Sequence, residues 1–347
     1  MPELETQRST VEYARRAEGY VGINGVNVWR DIKEFVSEIE FDEVASGETD
    51  SFEITMDDKN FHWINDWLID KYTKLNAKIK LLNWLEPGDE IWIDCGEFLC
   101  DGISIKGFPI RVTIKALALP LTGTKNSKKW EKIALSAIAQ EIAGHLGCEL
   151  KYYASDVVIE TQKQSRQTDI DFLFKLCNEY GLGMKIYKNS IVIFDRQAQD
   201  ASPAADTYNI KDFAFDAQSH FSIEDNEEGT YTGAQVTFKP EGSDSDVTYS
   251  YGTSERVIML DTSVKTMQEA ELKCRAALYN ANVERVKLSI NTMGGLKPIY
   301  PGTNYNFTGI GAYSGKYAIE RVTHTMTGEK AYHTKIIAHA VDIEKDK

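Results

Sequence analysis

Strict alternation of apolar and polar residues near both ends of the chain is the feature that most limits how it can fold. Every second residue is apolar between Ile110 and Ala116, and a similar alternation, with Thr334 on the otherwise apolar face, returns between Tyr332 and Ala340. A period of two buries one face of a strand and leaves the other in water, as in antiparallel sheets and barrels. The sequence therefore predicts a mainly β protein.

A Pro-Gly pair precedes each alternating region. At a constant offset, five apolar and turn positions of the first region match five of the second: Leu85, Pro87, Gly88, Ile91 and Ile93 against Ile299, Pro301, Gly302, Tyr305 and Phe307. Proline presets φ for a tight turn and the following glycine accepts a positive φ. The match predicts two related β units, with chance similarity as the alternative.

The chain has 347 residues, more than one hydrophobic core usually serves, so several domains are predicted. The pattern divides it into an N-terminal arm at 1–19, a first barrel-like β domain at 20–122, an α+β middle domain at 123–204, and a second barrel-like β domain at 205–347 with an inserted helix at about 266–281. The predicted fold class is mainly β with an α+β insertion. Apolar spacing predicts a short helical stretch from Phe61 to Leu68, and the polar segment Gly123 to Lys129 is interpreted as a linker.

Helix-end signals place two longer helices. Thr168 is positioned to cap the first, and Gly181 follows it as a stop. Thr266 and Glu269 have the spacing of a capping box at the start of the other. These signals predict one helix in the middle domain and one inserted in the second β domain. A stripe of apolar residues closed by Gly147 predicts a further helix at the start of the middle domain, with Leu135, Ile138, Ile142 and Leu146 on its buried face.

The net charge limits the kinds of molecule that this chain is expected to bind. Asp and Glu exceed Lys and Arg by 53 to 39, for a net charge of −14, which argues against stable nucleic-acid binding and against an anionic membrane as the main partner. No apolar run approaches the roughly 18 residues of a membrane span, and the start has no signal-peptide core. We expect a protein that is made and folded in a cytoplasm and does not insert into membranes by itself.

Residue patterns for catalysis or metal binding are weak. Adjacent carboxylates such as Asp57 and Asp58 point to opposite faces of a strand and do not converge on one substrate bond. Cys95 and Cys100 lack the second pair or nearby histidines of a zinc site, and are expected to be small apolar residues in strands. No catalytic, cofactor-binding or metal-binding residue is predicted, and the chain is not expected to be an enzyme.

Histidines on the last strands are the remaining candidates. His333 and His339 share a face, but their six-residue separation spans roughly 20 Å along a strand, too far for one metal ion. His324 lies on the preceding alternating segment. We interpret all three as surface or interface histidines.

Three segments together resemble a known family. The first holds Pro87 and Gly88, the second holds Asp169, Phe172, Leu173 and Gly181, and the third holds Pro301, Gly302, Gly315, Tyr317 and His324. In this order and spacing they resemble the tail hub family of contractile phages, often called late control protein D, over about residues 20 to 342. R-type bacteriocin hubs and the hub portion of type VI secretion spike proteins are related.

This resemblance implies a structural role. Such hubs are homotrimers in which each chain carries two tube-protein-like β-barrel domains, so that three chains form a pseudo-sixfold ring between the tail tube and the central spike. The implied partners are further copies of the chain, the tail tube protein, the central spike protein, the tape measure protein and other baseplate proteins. The implied location is the baseplate of a virion or tail-like particle assembled in the host cytoplasm, and no cofactor is implied. The alternatives are a tail-associated enzyme that degrades peptidoglycan or carbohydrate, and a spike hub component of a contractile secretion system.

Overall fold

The protein is mainly β, as the alternation predicts. The computed structural model describes residues 14–118, 123–216, 220–240, 242–294, 297–328 and 332–346. Most of the predicted N-terminal arm therefore lies outside the described residues, as do Gly295, Leu296 and Glu241. In chain order the strands are β1 Arg16–Ile23, β2 Val26–Asn27, β3 Val36–Val44, β4 Ser51–Asp57, β5 Lys74–Leu82, β6 Glu90–Lys106, β7 Arg111–Leu117, β8 Asn126–Ala134, β9 Glu149–Tyr153, β10 Val158–Gln167, β11 Leu182–Tyr187, β12 Ser190–Asp195, β13 Thr207–Asn209, β14 Phe221–Asp225, β15 Gly233–Phe238, β16 Val247–Gly252, β17 Val257–Leu260, β18 Val286–Thr292, β19 Asn304–Thr308, β20 Gly315–Thr327 and β21 Tyr332–Ile343.

Helices are short and mostly belong to the middle of the chain. They are α1 Trp29–Ile32, α2 Leu135–Leu146, α3 Asp169–Glu179, α4 Arg196–Ala201 and α5 Met267–Asn282. The caps of α3 and α5 are as predicted: the Thr168 hydroxyl accepts from the Asp171 backbone N–H at 3.1 Å, and Thr266 accepts from that of Glu269 at 3.2 Å. No helix among the described residues combines the length and apolarity that crossing a bilayer requires.

One 13-stranded sheet contains both β regions. Its path of hydrogen-bonded neighbours runs β14, β18, β21, β20, β3, β4, β7, β6, β5, β1, β2, with β19 pairing to both β20 and β13. Strand β20 of the second region joins the first region. Its C-terminal half pairs antiparallel with β3, from Arg321 opposite Val44 to Thr327 opposite Glu38. The two β regions are therefore hydrogen-bonded to each other through their backbones.

Each β region has its own hydrophobic core. The first core is built from β1 and β3–β7, and the second from β18–β21 with residues near β13. Met326 and Tyr332, at the tip of the β20–β21 hairpin, belong to the first core, whereas Tyr317 and Val322 belong to the second. A single hairpin thus contributes side chains to both cores.

The middle module is a small α+β unit. Its sheet has the order β11, β12, β9, with β9 parallel to β12. Alternate residues of β11 and β12, such as Ile186, Ile191 and Ile193, pack with α2 and α3 in a third core. β8 and β10 form a separate two-stranded ribbon.

The second β region carries a larger insertion than predicted. Besides α5, it includes a three-stranded sheet of order β16, β15, β17. Ala270 and Cys274 of α5 pack on Ala234, Val236 and Phe238 of β15. The small residues on α5 allow the helix to approach this sheet closely.

Three local predictions are wrong. The segment Phe61 to Leu68 forms turns, and Phe61 has a φ of 60°, outside the helical range. The interpreted linker is partly strand, because β8 begins at Asn126. β1 begins at Arg16, inside the predicted arm. Tertiary pairing overrides local signals in β8 and β1, since each is hydrogen-bonded along its length to a partner strand.

Candidate functional site at the junction of the two β regions

The Pro87-Gly88 turn joins β5 to β6 and is held by side chains. Gly88 has a φ of 90°, and its N–H donates to the Asn83 side-chain oxygen at 2.7 Å. The Asp89 carboxylate accepts from the backbone N–H groups of Trp84, Leu85 and Glu86. The turn is therefore rigid, and it brings the buried Trp84 to the boundary between the two cores.

The Pro301-Gly302 turn in the second β region shares the positive glycine φ, but its glycine N–H has a backbone partner. Gly302 has a φ of 75°, and its N–H donates to the Ile319 carbonyl at 2.8 Å. Next to it, the Asn304 amide donates to the carbonyls of Gln199, Asp200 and Ser202 at 2.8–3.0 Å. This turn therefore fixes the end of α4 against the second β region.

The strands that follow the two turns pair differently, contrary to a strict repeat. After Gly88 the chain runs on as one 17-residue strand, β6, which pairs first with β5 and then with β7. After Gly302 it forms β19 and turns back as β20, and these two strands pair with each other. In the first region β6 instead has a bulge in its pairing with β5, where Gly96 has a φ of 99°.

Gly315 and Tyr317 start β20 inside the second core. A Cβ on Gly315 would lie 2.2 Å from the Asp342 carbonyl oxygen, so only glycine fits beside β21. Tyr317 is fully buried, and its hydroxyl donates to the Tyr313 carbonyl at 2.7 Å. Both residues fix the register of the strand that goes on to join the first β region.

His324 lies where the two cores meet. Its ring is 2% exposed, stacks on Phe41 with centroids 5.8 Å apart, and has Nδ1 2.5 Å from the Tyr332 hydroxyl. Trp84 packs edge-on against Tyr332 at 5.1 Å. Burial lowers the pKa of His324 to about 4. The prediction of a surface histidine is wrong here, because aromatic rings from both β regions enclose the imidazole.

We expect His324 to destabilise the fold in acid. The unfolded chain takes up a proton near pH 6.5, whereas the folded ring stays neutral down to about 4. Stability therefore falls as pH drops through that interval, by about 2 kcal/mol at pH 5 from about 1.4 kcal/mol per pKa unit. Denaturant titrations of wild type and His324→Phe between pH 7 and 5 check this, and an equal acid slope in the two proteins would contradict it.

A buried imidazolium joins α4 to the second β region. His339 is 5% exposed, with Nδ1 2.9 Å from Glu320 Oε1 and Nε2 3.2 Å from Asp200 Oδ2. Two carboxylate acceptors require both ring nitrogens to be donors, which is the charged form. Burial lowers the pKa of His339, but the hydrogen bonds that the ring donates to Asp200 and Glu320 outweigh this effect and raise the pKa to about 9.

This histidine lies in a polar cavity of about 280 Å³ where three parts of the chain converge. The cavity is lined by the β3–β4 connection, by α4 with Arg196, and by β20, β21 and Tyr279 of α5. The Tyr279 hydroxyl donates to Asp200 at 2.7 Å. His339 was predicted to lie at the surface or at an interface between proteins, and it lies instead inside one chain.

Ion pairs also fix the β3–β4 connection. Arg321 of β20 donates to Asp42 at 2.5 Å and also contacts Glu48. Lys185 of β11 donates to Glu43 at 2.8 Å and lies 3.4 Å from Asp50. Burial raises the pKa of Asp50 to about 6 despite this lysine. The connection is therefore held on one side by the second β region and on the other by the middle module.

The family-like residues of the middle module hold its parts together. Asp169, at the start of α3, accepts from Asn126, Gln164 and His145 at 2.7–3.1 Å. It thereby ties the β8–β10 ribbon to α2 and α3. Burial raises the pKa of Asp169, and these hydrogen bonds more than offset that effect, so the net shift is downward.

Phe172, Leu173 and Gly181 complete that module. Phe172 and Leu173 are buried in its core, and the Phe172 ring stacks on Trp130 of β8. Gly181 ends α3 with a φ of 73°, and a Cβ there would lie 3.3 Å from Ala276 Cβ of α5. Glycine thus allows α3 and α5 to meet closely.

Beside Gly181, a buried polar cluster joins α3 to α5. The Tyr180 hydroxyl donates to Glu269 at 2.8 Å, and Lys273 Nζ lies 3.6 Å from Glu269 and 3.7 Å from Glu179. Lys273 also donates to Thr262 at 3.2 Å. Hydrogen bonds therefore satisfy both charges in a contact between the middle module and the insertion.

The adjacent carboxylates and the cysteine pair singled out in the sequence have structural surroundings. Asp58 is buried and accepts from the backbone of His62 and Trp63, whereas Asp57 pairs with Arg111. Among the described residues, no three His, Cys, Asp or Glu side chains are grouped closely enough to hold a metal ion. Cys95 and Cys100 are buried in β6 as apolar residues, as predicted.

Sequence reasoning missed the charged residues that hold the junction together. Asp200, Glu320, Lys185 and Arg321 carry no motif and lie far apart in the chain. Arg321 and Asp42 are 279 residues apart, for example. The local signal is a lysine or arginine on a strand whose other residues are partly buried. This signal does not show which carboxylate the cation pairs with.

Solved structures with a similar fold include phage tail proteins and a component of a type VI secretion system. The chain superposes on the tail protein from Neisseria meningitidis MC58 with a TM-score of 0.66 and 11% identity, over 94% of this chain and 97% of that one. The 43 kDa tail protein of prophage MuSo2 from Shewanella oneidensis gives a TM-score of 0.66 and 10% identity, over 94% and 99%. The E. coli c3393 protein, a type VI secretion system component, gives 0.53 and 12%, over 92% and 76%.

At these identities the likeness establishes the fold. No protein-family model matches the sequence, and no curated protein matches it. The sequence-based resemblance is confirmed at the level of the fold: the chain has the mainly β fold of phage tail proteins.

Proposed function

We propose that this chain is a structural hub protein of a contractile tail or tail-like particle. The observation that carries the proposal is β20, a single strand that pairs with β21 of the second region and β3 of the first. Together with His339, Arg321 and Lys185, it holds two β cores in fixed relative positions. A homotrimer of such chains presents six similar units, which suits contact between a sixfold tube and a threefold spike.

In this proposal the protein acts by binding rather than by catalysis. Its partners are two further copies of itself, the tail tube protein, the central spike protein, the tape measure protein and other baseplate proteins. Its location is the baseplate of a virion or tail-like particle assembled in the host cytoplasm. We propose the boundaries 20–122, 123–204 and 205–347 for the two tube-like units and the module between them, with the first unit extended to Arg16 to include all of β1. The residues Pro87, Gly88, Pro301 and Gly302 have the role of fixing the turns at the junction.

The solution mass tests the proposal. We expect light scattering of the full chain mixed with the spike protein encoded nearby to give a mass that contains three copies of this chain. The chain alone is the comparison, since assembly can depend on the spike. A monomer in both conditions, and also after adding the tail tube protein, would contradict the hub function.

A second candidate is the hub of a contractile secretion system. The similarity to the E. coli type VI secretion component favours it. The two candidates differ in partners, so co-purification with either a phage spike protein or a secretion spike protein separates them. Clearing of peptidoglycan by the purified chain in a zymogram would instead support an enzyme.

A further inference from the structure

The β6–β7 hairpin ends in an exposed aromatic knob. Phe108, at its tip, is 89% exposed, and Ile105 on the same hairpin is 50% exposed. Lys106 lies between them and is exposed as well. Keeping a phenylalanine in water forgoes roughly 2 kcal/mol of burial free energy, which a partner that covers the hairpin tip would recover.

The first β region also has an apolar groove. Its floor and walls come from the α1 segment and from the loop between β4 and β5, and its apolar lining consists of Ile23, Val28, Ile32, Trp63, Trp67, Leu68 and Ile69. Its volume is about 460 Å³, large enough for an aromatic side chain and its neighbours. Leu68 is 56% exposed in it, and the charged residues in the lining, Asp31 and Asp70, are both acidic.

We propose that the knob at Phe108 of one copy inserts into this groove of the neighbouring copy. This inference rests on the hub function, because it assigns the contact that closes the ring. A closed threefold ring needs two different surface patches that meet in every pair of neighbours. The knob and the groove share no residue, and the cationic Lys106 beside Phe108 complements Asp31 and Asp70 at the groove. The occupant is therefore a second copy of this chain.

Removing the knob tests the contact. The full chain is mixed with the spike protein, and the concentration at which trimers dissociate is followed by light scattering. We expect Phe108→Ala to raise that concentration at least about tenfold, since central aromatic anchors commonly contribute more than 1.4 kcal/mol to an interface. Met259→Ala is the matched control, because Met259 is 65% exposed on β17 and should leave the concentration unchanged.

A charge exchange separates this contact from a folding defect. Lys106→Glu and Asp70→Lys should each weaken the trimer, and the double variant should recover most of the loss, because the opposite charges meet again across the interface. A double variant no better than the singles would overturn the assignment. So would a Phe108→Ala protein that forms normal trimers, including one that loses only its retention of the tail tube protein. A wild-type chain that never trimerises would instead defeat the hub function itself.

Discussion

Replacing Lys273 by alanine is expected to lower the free energy of unfolding by about 3–5 kcal/mol, since removing one partner leaves an uncompensated buried charge. The Lys273 and Glu269 side chains are 5% and 3% exposed. The change should weaken the contact between α5 and α3, where Glu269 also accepts a hydrogen bond from the Tyr180 hydroxyl. Chemical denaturation followed by circular dichroism measures the change.

Two further variants test whether the lost stability comes from the buried charge pair. Glu271→Ala removes an exposed charge from the same helix and should change stability by less than about 0.5 kcal/mol. A variant with Lys273→Met and Glu269→Gln removes both charges, and should lose less than the sum of the single changes because the two groups interact. A Lys273→Ala protein as stable as the Glu271→Ala control would show that the cluster does not hold the helices together.

The second large effect is expected at His339. Replacing it by alanine leaves Glu320 and Asp200 facing each other without the cation between them, and should cost about 3–5 kcal/mol at neutral pH. Because Asp200 belongs to α4 and Glu320 to β20, the loss should also loosen the middle module from the second β region. Faster proteolysis of the segment around α4 in His339→Ala than in wild type would report that loosening. Unchanged proteolysis together with unchanged stability would contradict the role assigned to the imidazolium.

Alkaline pH should reproduce part of this effect in the unmodified protein. The folded pKa of His339, about 9, lies above the unfolded value of 6.5. The folded state therefore keeps a proton that the unfolded chain has released, and the stabilisation is complete below pH 6.5 and is lost as pH rises through 9. The full difference is about 3 kcal/mol at about 1.4 kcal/mol per pKa unit. In denaturant titrations from pH 6 to 10, wild type should lose this stability and His339→Ala should not.

Features that depend on neighbouring residues in the chain were predictable. The alternation between Ile110 and Ala116 became β7, and the Thr168 and Thr266 caps started α3 and α5. Both Pro-Gly turns have the positive glycine φ that their chemistry favours. Each of these features depends on backbone dihedral preference or on contacts within a few residues. The local sequence is therefore sufficient to predict it.

The fates of the three histidines show what was not predictable. His324 is neutral among aromatic rings, His339 is charged between two carboxylates, and His333 is partly buried near Asp216. All three lie on alternating strands with similar local sequence. The pKa values of His324 and His339 depend on desolvation and on hydrogen-bond partners supplied by distant segments, which no local pattern contains.

The sequence by itself determined the alternating strands such as β7, the capped helices and the Pro-Gly turns, because hydrophobic periodicity and backbone preference act over a few residues. Only the tertiary structure decided that β20 pairs with β3, that the two β regions form one sheet, and that Arg321 meets Asp42 across 279 residues. Strands with the same alternation can pair in many different orders. Each strand can bury its apolar face in any of these orders, so the alternation does not select one. The choice among orders depends on how two cores, the middle module and their buried charges fit together, which is a property of the assembled chain.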